Sequence, residues 1–573
     1  MQLNREKLRR QLNRYVPITA WLPTYPRDLL RGDIISGVTV WGVMVPVAMA
    51  YAQMAGLPPE VGLYTAFAAL LGYAIFSTSR QLKVTASSTM AVMSAAVVGA
   101  MAAGDATRYA ALSAALALTV GVILLLAGIV RLGFISDFLS KSVITGFVFG
   151  LALVIAIGQL PKLLGLPSGQ GDFFEQCYQL ITNLSQIKPY TLVVGVSALV
   201  VIFLVKRFFP RLPSGLVALV LGILAVSIFN LDEYGVSIVG AIPTGLPTPG
   251  LPQVSLGDLP YLITGAIGIV FLAVGESLGS ARSFAAKHRY EINPDQELIA
   301  LGTANLSAGL FQGFTVDASL SSSATADEAG ARTQLSSIVT AVLIIVTLLV
   351  LAPLFYNLPN AVLGAIVIAS VIGLMDVAEL RRLYASNRVD FVLAVVALFG
   401  VLTTDVLTGL LIAVFLSLLI ILYRASRPYV AVLGKVPGQE ATYGDVARHP
   451  ENIQVPGLLI VRLDAPLYFL NANVARGQIL GLVTASQPPP RAILFDLGAS
   501  ADLDVASLDM LKNLVRELEE AGVDVLLAEV RGRVRDRLRK AGVMAKIGEN
   551  RIYLSVPAAV DDFERRNRGG ESS

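Results

Sequence analysis

Cysteine is almost missing from this 573-residue chain, with Cys177 as the only one. That excludes an intrachain disulfide and any multi-cysteine metal site. Histidine is nearly as scarce. His288 and His449 are too few and too far apart for a zinc centre. Charge is sparse, at 15% of residues against roughly 25% in ordinary soluble domains. The net charge of +3 suggests no nucleic-acid partner. The first 32 residues are polar and basic, so no cleavable signal peptide is expected. No nucleophile–base pair, metal cluster or glycine-rich phosphate loop stands out. Neither an enzyme nor a cofactor is therefore expected.

What the chain does have is apolar runs, and 55% of its residues are hydrophobic. Runs free of Lys and Arg recur at 35–56, 62–77, 110–130, 143–160, 190–205, 213–229, 259–275, 334–357, 361–375, 390–404 and 406–423. About 20 such residues span a bilayer core of about 30 Å, so a polytopic membrane domain is expected. From about 435 the pattern changes. "GLLIVRLDAPLYFLNA" and "RAILFDLGA" read as buried strands, and "DVASLDMLKNLVRELEEAG" as an amphipathic helix. "VDVLLAEV" is another strand and "GRVRDRLRKAG" another helix. This alternation predicts a small α/β domain.

Two stretches break the apolar pattern: "KVTASSTMAVMSAA" at 83–96 and "FTVDASLSSSATADEAGART" at 314–333. Both are rich in small residues and hydroxyls. Basic loops stay cytoplasmic. Alternating the Lys and Arg clusters, from Arg5, Lys7, Arg9, Arg10 and Arg14 through Arg80/Lys83 to Arg424/Arg427, closes only if each stretch is a short broken crossing. The count is then fourteen spans with both termini inside. Backbone leaves a membrane helix only where it lines a cavity or is buried in protein. Paired interruptions in two halves mark the binding site of an inverted-repeat transporter. Half-helix N-termini offer free N–H groups and a positive dipole end to an anion. Two carboxylates fall nearby, Glu276 and Asp317, and intramembrane charges are usually functional. If both line a dry cavity, H⁺ or Na⁺ is expected to neutralise them as the anion enters. Glu291, Asp295 and Glu297 are expected to be a solvated loop face.

Nearly the whole chain resembles the SulP anion-permease family, relatives of pendrin and prestin. The resemblance is carried by "YVPITAWLPTYPRDLLRGDIISGVTV", "VPVAMAYAQMAGLPPEVGLYTAF" and "GARTQLSSIVTA". The C-terminal part resembles the family's STAS domain. The resemblance implies an all-α domain of 14 spans as a uracil-permease-like 7+7 inverted repeat with core and gate, and a cytoplasmic α/β STAS domain. It also implies elevator-like movement and a homodimer. The expected layout is an arm at 1–32, a transport domain at 33–425, a linker at 426–450, STAS at 451–565 and a disordered tail at 566–573.

The implied anion site lies between the third and tenth spans, lined by the first and eighth. Tyr51 matches the family's first-span aromatic, and Val47 falls where many members have glutamine. Ser87, Ser88 and Thr89 open the third span, and Ser87 follows Thr-Ala where Gly-Pro is common. Ser319, Leu320, Ser321 and Ser322 open the tenth, with serine at the frequent arginine position. Glu276 falls at a position acidic in many proton-coupled members. Without the arginine, electroneutrality must come from a cation, so Glu276 and Asp317 are the expected coupling residues. In the STAS domain, Val505 follows Asp504 where anti-sigma antagonists carry a phosphorylatable serine, and Ser507 reads as a helix-start residue. Expected partners are an inorganic or small organic anion, H⁺ or Na⁺, the bilayer of the inner or plasma membrane and a second copy. Sulfate leads as substrate. Bicarbonate, a C4-dicarboxylate, uncoupled exchange or channel flux, and a regulatory scaffold are the alternatives.

Overall fold

The computed structural model describes residues 15–570 apart from 103, 135–140, 168, 170, 210–211 and 405. Arg5, Lys7, Arg9, Arg10 and Arg14 of the expected arm lie outside them, as do 571–573 of the expected tail.

The membrane domain is helical. Its first half runs through α1 (Leu30–Met54), α2 (Pro59–Phe76), α3 (Ser88–Ala102), α4 (Ala106–Val130), α5 (Lys141–Leu164), α6 (Pro189–Phe208) and α7 (Ser214–Phe229). The second half runs through α8 (Leu259–His288), α9 (Pro294–Leu310), α10 (Leu320–Glu328), α11 (Leu335–Val346), α12 (Asn360–Ile372), α13 (Arg388–Thr403) and α14 (Val406–Ser426). Among the described residues, eight helical segments are long and apolar enough to cross a bilayer, and three shorter apolar ones join them. Helices apolar on all sides are the form expected inside a membrane or a large core.

The helices sort into two groups. Helices α1–α4 and α8–α11 pack mainly on one another, led by the α4–α9 seam. Helices α5, α6, α7, α12 and α13 form the other, led by α5 on α13. Lipid supplies no hydrophobic drive between helices, so close backbone approach carries the packing. A Cβ on Gly302 of α9 would stand 2.8 Å from the Leu125 backbone N of α4.

One expectation fails beside this seam. Glu297 is not on a solvated face but is 1% exposed. Its Oε1 accepts from the Thr78 N–H at 2.7 Å, the Thr78 hydroxyl at 2.5 Å and the Ser79 N–H at 2.8 Å. Its Oε2 accepts from the Tyr73 hydroxyl at 2.5 Å. The carboxylate caps donors left free where α2 ends. Glu291 is exposed, as expected.

Both hydroxyl-rich stretches leave the helical path. Short strands β1 (Val84–Thr85) and β2 (Asp317–Ala318) pair antiparallel, Val84 with Ala318 and Thr85 with Asp317. Side chains satisfy the rest of the extended backbone. Asn305 donates to the Val316 carbonyl at 2.9 Å and accepts from the Val316 N–H at 3.0 Å. Ser277 accepts from the Ala318 N–H at 3.0 Å, and the Lys83 carbonyl accepts from the Ser319 N–H at 2.9 Å. Thr65 accepts from the Phe314 N–H at 3.2 Å.

The C-terminal domain is a six-stranded sheet in the order β4-β3-β5-β6-β7-β8. Strands β5 (Leu458–Leu463), β6 (Ala492–Asp496), β7 (Asp524–Ala528) and β8 (Ile552–Tyr553) are parallel. The stretch expected to be a linker carries the antiparallel β3 (Val430–Lys435) and edge strand β4 (Tyr443–Asp445). Alternation sorts the side chains. Leu459, Val461 and Leu463 face one core with α15 (Ala472–Ala485), α16 (Val505–Glu520), α17 (Gly532–Lys540) and α18 (Val543–Ile547). Leu458 and Ile460 face the other with α19 (Val556–Gly570), which runs into the stretch expected to be a tail. Helix α16 starts on Asp504, whose carboxylate accepts from Ser507 N at 2.9 Å and Phe469 N at 2.7 Å. Ser507 is buried and Val505 is exposed, which fits the helix-start role.

Two outcomes follow. Asn305→Ala strips both partners from Val316 and should cost about 2–4 kcal/mol, read as a lower unfolding temperature in detergent. Glu297→Ala should cost a similar amount, whereas Glu291→Ala should stay within about 0.5 kcal/mol of wild type.

Candidate functional site

The β1–β2 ladder delivers two helix starts to one place. Antiparallel pairing sends α3 and α10 away in opposite directions, so their positive ends converge. Ser87 caps α3, its hydroxyl oxygen accepting from Met90 N at 3.1 Å. Ser319 caps α10, accepting from Ser322 N at 3.3 Å and donating to the Ser322 hydroxyl at 3.0 Å. A salt bridge from Asp327 to Lys287 at 2.7 Å and a hydrogen bond between Asp327 and His288 Nε2 at 2.6 Å pin the far end of α10 to the end of α8.

The expected site residues divide by burial. Tyr51, Ser88, Thr89, Asp317, Ser319 and Ser322 are buried. Val47, Ser87 and Glu276 are half-buried. Leu320, at 51%, and Ser321 are exposed, so they are not enclosed with their neighbours. Val47 and Tyr51 lie four residues apart on one face of α1, and Tyr51 reaches Ser88 and Ser370 of α12. Thus α1, α3, α8 and α10 do meet here.

Two carboxylates are brought together in this place. Glu276 of α8 and Asp317 of β2 interact directly, with Ser87 beside Asp317. Asp317 is 0% exposed, and neither carboxylate oxygen has a hydrogen bond of good geometry. The described residues contain no cluster of three or more His, Cys, Asp or Glu suited to a metal ion.

Three participants escaped the sequence reading. Ser277 and Ser370 had no signal beyond being serines on apolar helices. Lys83, a loop charge in the Lys and Arg pattern, is instead 0% exposed. Its Nζ donates to Ser336 at 2.6 Å and Ser337 at 2.8 Å on α11, within the field of buried Asp33. Its N–H donates to the Ser323 hydroxyl at 2.8 Å. The available signal was "LSS" at 335–337, hydroxyls in an otherwise apolar helix.

Comparison with known proteins agrees with this architecture. Residues 30–397 match the sulfate permease family, and 449–559 match the STAS domain. A probable sulfate transporter of Mycobacterium tuberculosis is 40% identical over 544 residues, covering 95% of this chain and 97% of that protein. High affinity sulfate transporter 2 of Stylosanthes hamata is 32% identical over 574 residues, covering 96% and 86%. The inward-facing structure of the murine Solute Carrier 26 family member A9 anion transporter superposes with a TM-score of 0.87 at 24% identity, covering 95% and 93%. The chain therefore belongs to the sulfate permease family: it is a multi-pass membrane anion transporter with a C-terminal STAS domain, and not an enzyme.

Proposed function

We propose that the chain takes up sulfate by secondary active transport coupled to H⁺ or Na⁺. The carrying observation is the Glu276–Asp317 pair, set at two helix starts with no basic side chain hydrogen-bonded to Asp317. The anion would sit at the N-termini of α3 and α10, met by the hydroxyls of Ser87, Ser88, Thr89, Ser319 and Ser322, with Tyr51 and Val47 closing the α1 side. Two adjacent carboxylates beside an anion in a water-poor place are unfavourable without a positive partner. A proton or sodium ion between Glu276 and Asp317 supplies it, so anion and cation bind together. The relatives named as sulfate transporters favour sulfate among the oxyanions the site would accept.

The fourteen helices are read as a 7+7 inverted repeat. Supporting this, the α4–α9 seam is mirrored by α11 on α2, and α5–α13 by α12 on α6. Because the site lies within the α1–α4/α8–α11 group, sliding that group past the other would carry the anion across, elevator-like. The Lys and Arg distribution favours cytoplasmic termini in the inner or plasma membrane, and the family resemblance favours a homodimer.

In proteoliposomes, an imposed inward proton or sodium gradient should drive saturable sulfate uptake. Glu276→Gln and Asp317→Asn should each cut gradient-driven uptake by about 100-fold, as removal of a coupling charge worth about 3 kcal/mol would. Uptake of bicarbonate or succinate instead would change the substrate and keep the mechanism. Uptake indifferent to both gradients would sink the coupling and leave exchange or channel flux. Ser319→Ala removes a helix cap and an anion ligand together, and should raise the sulfate KM by about tenfold.

A further inference from the structure

A polar cavity lies just past Tyr51, at the C-terminal end of α1. It has a volume of about 770 Å³, and its lining includes Gln53, Lys162, Lys188, Thr191, Ser237 and Asn360. These residues come from α1, the end of α5, the start of α6, the loop before α8 and the start of α12. The cavity therefore opens where the two helix groups meet. The central site shares none of its lining.

Its chemistry is one-signed. Two lysines line it, and no carboxylate does. The neighbouring acids Glu60, Asp232 and Glu233 are outside the lining. Lys162 is half-buried and donates only a long bond, 3.3 Å, to Gln53 Oε1. Gln53 Nε2 in turn donates to Asn360 Oδ1 at 2.7 Å, and Asn360 Nδ2 to the Ser237 hydroxyl at 2.9 Å. A further observation points to a ligand. Thr191 is 3% exposed, lines the cavity, and its hydroxyl has no hydrogen-bond partner. A buried hydroxyl without a partner costs free energy until something accepts from it.

We propose that this cavity is a capture site for a small oxyanion, held by Lys162, Lys188 and the Thr191 hydroxyl. It rests on the anion-transport reading above and adds a binding step before the central site. Two unneutralised cations raise the local anion concentration and the rate of encounter. The Lys162 ammonium gives one N–H to Gln53 Oε1 and has two more for an oxyanion, beside the Gln53–Asn360 bond that joins α1 to α12 across the two groups.

The test reads charge without transport. Gln186, an exposed lining residue, is replaced as Gln186→Cys in full-length protein carrying Cys177→Ser. Leu166→Cys serves as a second reporter on the same wall. Labelling rates are measured with anionic, cationic and uncharged methanethiosulfonates, with and without sulfate. The anionic reagent should react about tenfold faster than the cationic one, and sulfate should slow it. Lys162→Gln with Lys188→Gln should abolish both effects while the uncharged rate stays unchanged, which shows that the fold survives. Equal rates with both lysines present would overturn the proposal. So would a preference that survives their removal, or one that sulfate does not touch. Charge-selective, sulfate-sensitive labelling in a chain that moves no sulfate would keep the capture site and remove the transport reading.

Discussion

The structure turns on one constraint: a backbone that stops being helical inside a membrane domain must find partners for every N–H and C=O. Here two interruptions solve it together. The β1–β2 ladder pairs one break with the other, and the leftover groups go to Asn305, Ser277, Thr65 and Lys83. Register in such a ladder is unforgiving, because a slip of one residue turns every side chain to the opposite face. Pairing Thr85 with Asp317 fixes the Asp317 side chain, and the same register sets where α3 and α10 begin. The helix starts, their capping serines and the carboxylate pair are all consequences of that pairing.

The same economy of partners keeps the Lys83 side chain from bonding to the carboxylate pair. Lys83, a buried cation next to the ladder, is held by Ser336 and Ser337 on α11 and faces the field of Asp33. Asp33 is itself satisfied by the Arg332 and Thr333 N–H groups at 2.7 and 3.1 Å. Lys83 thus ties α11 to the ladder, and its side chain makes no bond to Asp317 or Glu276. Burial in protein brings a charge near the proposed anion site without making it part of that site.

Most of the fold was legible in the sequence, because membrane helices are written as apolar runs and the parallel strands as continuous hydrophobic ones. The two breaks in the helical path were legible too, as hydroxyls and an acid where apolar residues belong. What was hidden depends on long-range partners. Glu297 reads as a loop charge until Tyr73, Thr78 and Ser79, more than two hundred residues earlier, are seen to surround it. Lys83 reads as a flanking charge until α11 brings two serines to it. Strands β3 and β4 read as linker because β3 pairs with residues about thirty further on. Leu320 and Ser321 share a motif with Ser319 and Ser322 yet are exposed, because adjacent residues on a helix turn by about 100°, although the Ser321 hydroxyl still lies 3.4 Å from that of Ser319.

The ladder and the buried residues beside it lie inside one of the two helix groups. Asp317, Ser319 and Ser322 are buried, and the ladder that holds them belongs wholly to the α1–α4/α8–α11 group. Backbone pairing of that kind is too costly to break in each cycle, because every separated N–H and C=O would need a new partner. The seam between groups is different in kind: at one end a chain of side-chain hydrogen bonds links Lys162, Gln53 and Asn360, and each can be exchanged for water or an anion. Motion is therefore cheapest at the seam and most expensive at the site. This division of strong and exchangeable hydrogen bonds supports the proposed elevator-like movement of the site.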